Sequence, residues 1–407
     1  MTRFDSIPLI LMLAMAGFPV RVGGDTGVAG VEEPPAAVIE GMNQFAFDLY
    51  GRLAESPTDN LFLSPASIST ALTMTSAGAC GNTAEQMATV LRLPDQRVHE
   101  GFGALGDYLN ALGAQDDFEL TIVNALWAQP DYDFRREFTE LLETRYGAGL
   151  RKVDFQRDTE GARQEINRWV EEQTRDRIQE LIPPGVLTQL TRLVLTNAIY
   201  FQGFWEHPFD PDATRPREFT TAAGEKIETP TMFQNGVFRY AEDDAVQCLE
   251  MEYGEGDLAM TLFLPKQPDG LRELERNFDA AALRTWSERL QPQRMHVYLP
   301  KFSFTAEFGL SQVLQAMGMP DAFSRQADFS GMDGTKELYL QEVLHKAFVD
   351  VDETGTEAAA ATGVVVGITA MPPVFRADRP FLFLIRDTCS GVVLFAGRLA
   401  DPSTSEP

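Results

Sequence analysis

"ETGTEAAAATGVVVGITAMPP", residues 353–373, fits no single conformation. Glu357 and the alanines Ala358, Ala359, Ala360 and Ala361 favour a helix, and Gly363, three valines and Gly367 then break it. Read with a period of two, the same stretch changes character. Thr356, Ala358, Ala360, Thr362, Val364, Val366 and Ile368 fall on one side with no charge among them. Glu357, the only charged residue between Thr356 and Phe375, falls on the other. That is a strand with one buriable side. Its first half is too small and Ala-rich to be good strand material in its own right. The segment has the pattern of a strand and little intrinsic reason to be one at rest.

The surrounding chain supplies the sheets such a strand would need. "LVLTNAIYF", residues 193–201, is almost wholly apolar and reads as a central strand buried on both faces. From Phe219 onward strand-like runs dominate: "GVFRYAED", "VQCLEMEY", "LAMTLFLP" and "MHVYLPKFSFTAEF", with a short helix at "GLSQVLQAMG". The ending, "RPFLFLIRDTCSGVVLFAGRL", reads as two buried strands joined by a turn at Ser390-Gly391. Helices crowd the first half. "MNQFAFDLYGRLAE" sets Phe45, Leu49 and Leu53 on one helical face. Ser64 suits an N-cap with Pro65 at the first helical position, and Thr83 with Gln86 reads as a capping box. "EGARQEINRWVEEQTRDRIQELI" reads as one helix with Ile166, Trp169, Val170, Ile178 and Leu181 on its apolar side. Helices first, strands later and no repeated βα unit imply an α+β protein of one large domain.

Composition excludes several functions. The 407 residues, 44% hydrophobic, are enough for a sizeable core. The net charge of −26, with no cluster of Lys or Arg along the sequence, argues against nucleic acid or heparin as partners. Cys80, Cys248 and Cys389 form no disulfide framework or metal spacing and read as buried free thiols. The four histidines, His99, His207, His296 and His345, sit far apart without an HExxH pattern, so no metal and no cofactor is expected. "GFGALG" at Gly101–Gly106 matches a dinucleotide fingerprint but follows no buried strand. Ser64, Ser67 and His345 come with no nucleophile elbow or oxyanion hole, so the chain is not expected to be an enzyme. At the N-terminus, Arg3, the run "IPLILMLAMAG" and Ala14-Met15-Ala16 read as a signal peptide within residues 1–24, too short to span a membrane. The expected location is therefore secreted or extracytoplasmic. A flexible segment is expected at 25–39.

The run "LYLQEVLHKAFVDVDETGTEAAAAT" resembles the segment that leads into the reactive-centre loop of the serpins. "NLFLSPASISTAL", "LVLTNAIYFQGFWEHPFDP", "LPKFSF", "ADFSGM" and "RPFLFLIRDTCSGVVLFAGRLADP" resemble the same family in the same order. The likeness covers roughly residues 40–402, with the loop at about 353–375 and a tail at 403–407. It implies a five-stranded central sheet, two further sheets, eight to nine helices and an exposed loop. It also implies a mechanism. A serine protease attacks the loop, forms an acyl-enzyme, and is trapped when the severed loop inserts as a new strand into the central sheet.

The resemblance implies a role for each matching residue. Glu353, Gly355, Thr356, Glu357, Ala358, Ala359, Ala360, Ala361 and Thr362 form the hinge and the start of the inserting strand. Ser64, Ser67, Asn197 and His345 form the polar network where the central strands part, with Gln341 standing where serine is common. Trp205, Lys301 and Glu353 form the insertion entrance. The bond attacked is Thr369-Ala370, and a small residue before the cut suits an elastase-like or subtilisin-like protease. The inhibitor is expected to act as a monomer. The alternative is a non-inhibitory serpin that binds or chaperones, or is cleaved only as a substrate. Against it, such serpins tend to carry charged, bulky or proline residues at the hinge, where this chain has Gly355, Thr356 and an alanine run.

The inserting face can be tested against that mechanism independently, because every side chain it would bury is small or apolar and uncharged. At roughly 0.5–1.5 kcal/mol per new hydrogen bond, about a dozen bonds would give a driving force on the order of 10 kcal/mol. That is comparable to the stability of a whole domain.

Overall fold

The chain enters its first helix directly after Pro35. Helix α1 (Ala36–Leu53) buries Val38, Ile39, Met42, Phe45 and Leu49, spaced so that they share one face. Residues 36–39, expected as part of a flexible segment at 25–39, are therefore helix, because Val38 and Ile39 extend the apolar stripe. The computed structural model describes residues 31–56, 58–94, 97–113, 118–254, 256–356 and 372–404. The expected signal segment 1–24, the hinge residues Glu357 to Thr362 and the bond Thr369-Ala370 lie outside the described residues.

Strand β1 (Leu61–Leu63) runs into α2 (Pro65–Ser76), with Ser64 as N-cap accepting from the Ser67 N–H and Pro65 at the first helical position, as expected. Helix α3 (Gly81–Val90) begins after Cys80 without a side-chain cap. The Thr83–Gln86 capping box does not form. Thr83 Oγ1 accepts from the Asp328 N–H and Gln86 Oε1 from the Asp321 N–H, tying the helix to a distant loop instead. Helix α4 (Val98–Leu112) contains all of Gly101–Gly106, so the glycine motif is helical and cradles no phosphate.

The order continues β2 (Phe118–Ala128), α5 (Arg136–Tyr146), β3 (Leu150–Lys152), α6 (Thr159–Gln173) and β4 (Leu193–Phe204). Helix α6 stops well short of the apolar pattern read from the sequence. Arg175, Asp176 and Glu180 take positive φ, so Ile178 and Leu181 reach the core from turns. Then come β5 (Arg215–Thr220), β6 (Lys226–Glu242), β7 (Val246–Tyr253), β8 (Leu258–Pro265), α7 (Leu271–Arg276) and α8 (Ala280–Arg289). Next are β9 (Gln291–Pro300), β10 (Phe302–Gly309), α9 (Ser311–Met317), α10 (Ser330–Asp333) and β11 (Glu342–Val351). The chain ends with β12 (Gly355–Thr356), β13 (Val374–Arg376), β14 (Phe381–Asp387) and β15 (Val393–Leu399). Ten α-helices appear among the described residues against the eight to nine expected, two of them, α7 and α10, only six and four residues long. The tail expected at 403–407 starts inside a 3-10 turn, Pro402–Thr404.

The central sheet has the expected five strands in the order β10-β11-β4-β2-β3, with β12 added against β4. The two further sheets are hydrogen-bonded into one nine-stranded sheet, because the 17-residue β6 pairs with β5 and β9 along most of its length and with β7 at its end. Strand β4 is buried on both sides. Leu193, Leu195, Ile199 and Phe201 face the core shared with the second sheet, while Val194 and Ala198 pack with Ile166 and Val170 of α6. The thiols correct one expectation. Cys248 is buried and its thiol pKa is pushed up by that burial, but Cys80 is half-buried and Cys389 exposed.

Candidate functional site

Strands β4 and β11 run side by side and parallel, yet they pair only from Val194 opposite Glu342 to Ile199 opposite Ala347. Above that point β11 continues to Val351 and β4 to Phe204 without pairing each other. In the mouth of this gap β12 pairs antiparallel with β4, Gly355 opposite Phe204 and Thr356 opposite Gly203.

The closed part of the gap is latched by a buried polar network. His345 stands directly opposite Asn197 across β11 and β4, and Asn124 stands opposite Asn197 across β2 and β4. The Ser64 backbone N–H donates to His345 Nε2 at 3.1 Å, so that nitrogen carries no proton. The proton is therefore on Nδ1, which donates to Asn197 Oδ1 at 2.6 Å. Complete burial holds the imidazole neutral, its pKa pushed down to about 3. The Asn197 amide donates to Ser67 Oγ and to Asn124 Oδ1, both at 2.5 Å. Ser64 Oγ donates to the Leu394 carbonyl at 2.7 Å and accepts from the Ser67 N–H at 3.3 Å. One network thus joins the start of α2 to β2, β4, β11 and β15. Its members are short polar groups, each with two or more hydrogen-bonding options. Gln341 stays outside it, with a buried Oε1 that has no hydrogen-bond partner among the described residues.

The open end is built around one tight turn. Asp352 Oδ1 accepts from the Thr354 N–H, the Thr354 hydroxyl and the Gly355 N–H, and the Gly355 carbonyl accepts from the Asp352 N–H. Gly355 has φ +148°, and a Cβ there would lie 2.1 Å from the Gly203 carbonyl oxygen. Only glycine can bring the chain into the sheet at this position. Trp205 supports the turn from below. Its backbone N–H donates to the Thr354 carbonyl and its indole N–H to the Asp352 carbonyl, each at 3.0 Å. Its ring stacks on Tyr253 with centroids 4.5 Å apart.

Glu353 is 8% exposed, accepts from Lys301 Nζ at 2.6 Å and from the Thr214 hydroxyl at 2.7 Å. Burial pushes its carboxyl up, but the bonds from Lys301 and Thr214 outweigh it, and the group titrates below its ordinary value.

The structure brings Ser64, Ser67, Asn197 and His345 together as one set. Trp205, Lys301, Glu353 and Gly355 form a second set at the other end of the gap. Thr356 enters by its backbone. Four participants were missed in the sequence. Asn124 had a visible signal, a lone amide inside the apolar strand run "TIVNALWAQ". Asp352, Thr214 and Tyr253 had none, since each acts through a contact with residues remote in the chain or through a turn that only the fold creates.

The family model described as "Serpin (serine protease inhibitor)" matches residues 40–402. The chain is 40% identical over 370 residues to the leukocyte elastase inhibitor of Bos taurus, a match covering 88% of this chain and 98% of that protein. Among solved structures, uncleaved ovalbumin superposes with a TM-score of 0.83 at 31% identity, covering 90% of this chain and 100% of that one. Human thyroxine-binding globulin complexed with thyroxine superposes with a TM-score of 0.82 at 32% identity, covering 90% and 98%.

Proposed function

The chain belongs to the serpin family, and from that membership we propose that it is an irreversible inhibitor that traps serine proteases by inserting its cleaved loop between β4 and β11. The observation that carries this reading is β12, whose two residues already run antiparallel to β4 inside the gap. Continued one for one, that register sets Ala358 opposite Phe201, Ala360 opposite Ile199, Thr362 opposite Asn197 and Val364 opposite Leu195. The uncharged side of the loop then turns toward the same core as those β4 residues, and Glu357 falls opposite Gln202 on the other side. Insertion also separates His345 from Asn197 and leaves Thr362, a hydroxyl, beside the freed amide.

The target is an elastase-like or subtilisin-like protease acting at Thr369-Ala370, supported by the small residue before the bond and by the elastase inhibitor among the relatives. The inhibitor acts as a monomer outside the cytoplasm, a location supported by the apolar run after Arg3. Incubation with one protease of each class tests the reading. The expected product is a complex that survives SDS, with release of the fragment Ala370–Pro407. A second reading, a ligand-binding serpin without inhibition, draws on the thyroxine-binding globulin likeness. Cleavage of the loop with no complex for either protease class would favour it.

A further inference from the structure

Tyr298 on β9 lies in register between Phe233 on β6 and Arg376 on β13. The guanidinium of Arg376 sits 4.8 Å from the centre of its ring, and that of Arg217, from β5, sits 4.6 Å from it. Phe233 packs 4.9 Å from the same ring and meets His296 edge-on at 5.5 Å. Arg294, exposed, follows on the same side of β9. None of Arg217, Arg294 and Arg376 has a carboxylate partner among the described residues, and Arg217 Nε is buried without a hydrogen bond. In a chain with 60 acidic and 34 basic residues, this face gathers unpaired positive charge on an aromatic platform. Arginine and tyrosine are the side chains that most often dominate protein interfaces, and a guanidinium stacked on a ring keeps its outer edge free for carboxylates.

The same sheet anchors the far end of the loop. The Pro373 carbonyl accepts from the His296 N–H at 2.9 Å, and β13 follows at once. Arg376 lies seven residue steps after Thr369, at most about 25 Å of fully extended chain. A protease holding the scissile bond in its cleft is thereby held over or beside this face.

We propose that this face is an exosite that captures the target protease through an acidic surface beside its active-site cleft. The proposal rests on the inhibitor reading above and adds the partner's surface chemistry. The arginine contacts act on encounter, so they raise the rate of association rather than the fate of the acyl-enzyme.

The test uses a subtilisin-like protease with an acidic cleft rim and a form of it whose rim carboxylates are replaced by amides. Against the acidic form, Arg217→Glu and Arg294→Glu each slow complex formation about 10-fold at low salt and flatten its salt dependence. Against the amide form, both variants match the unaltered protein. Arg284→Glu, on α8 and paired with Glu40, serves as the control and changes neither rate. Equal rates for the unaltered protein and both variants against the acidic form overturn the proposal. Arg217 also packs on Tyr298, so if its variant fails to fold, the exposed Arg294 decides. Retention of a heparin oligosaccharide by these arginines, with no effect on the protease, overturns it in favour of a polyanion site. Binding of the acidic protease with its catalytic serine replaced by alanine separates the two readings. Arginine-dependent binding there supports the exosite even if no covalent trap forms.

Discussion

On the proposed insertion mechanism, Ala358→Glu should convert the protein from a trap into a substrate, whereas Glu357→Lys should leave trapping intact. Continued one for one into an inserted strand, the β12 register would set Ala358 opposite Phe201 and Glu357 opposite Gln202. Phe201 is 3% exposed and belongs to the core, while Gln202 is only half-buried. A strand from 357 to 366 would replace the parallel pairing of 194–199 with 342–347 by two antiparallel interfaces. At about 1 kcal/mol for each of about a dozen net new bonds, the gain is on the order of 10 kcal/mol. An unpaired carboxylate in the apolar site costs several kcal/mol, and it falls early, when few new bonds have formed to offset it. If about 3 kcal/mol of that appears in the barrier, insertion slows ~100-fold. Hydrolysis of the acyl-enzyme then wins. The assay counts SDS-stable complex against cleaved inhibitor for both variants with one elastase-like protease, and follows melting of each nicked protein. Undiminished complex yield from Ala358→Glu, or equal loss from Glu357→Lys, would refute the register.

The same geometry makes further predictions. Gly355→Ala places a Cβ 2.1 Å from the Gly203 oxygen at φ +148°. It should cost about 1–3 kcal/mol, lower the melting temperature and raise the number of inhibitor molecules consumed per protease. His345 is depressed to about 3 from its ordinary 6.5. Its neutral form is the folded one, so its contribution is fully present above pH 6.5 and is lost as pH falls toward 3. Acid melting curves of His345→Asn should show a shallower pH dependence across that window, by about one proton. Thr369→Arg should redirect inhibition to trypsin-like proteases, and unchanged selectivity on a protease panel would mean that the bond lies elsewhere.

Several elements were legible because their causes are local. Ser64 caps α2 and Pro65 opens it, since a short hydroxyl and a fixed φ act within one turn. The unbroken apolar run of β4 announced a strand covered on both sides. Other readings failed where a distant partner won. Thr83 and Gln86 satisfy backbone N–H groups of the 321–328 loop rather than capping their own helix. Ile178 and Leu181 keep their burial but lose their helix, because three positive-φ residues fold that stretch into turns. Asn124 completes the latch only because β2 lies beside β4.

By itself, the chain's order of residues settled that residues 356–368 have one uncharged side, because alternation along a strand is a property of consecutive residues. It settled likewise that a glycine precedes them. Only the tertiary structure decided where such a strand has room, since the gap exists because β4 and β11 diverge above Ile199. It also gathered Arg217, Arg294 and Arg376, isolated in the sequence, onto one face around Tyr298. Register between strands more than a hundred residues apart is fixed by packing both sheets at once, and no local pattern carries it.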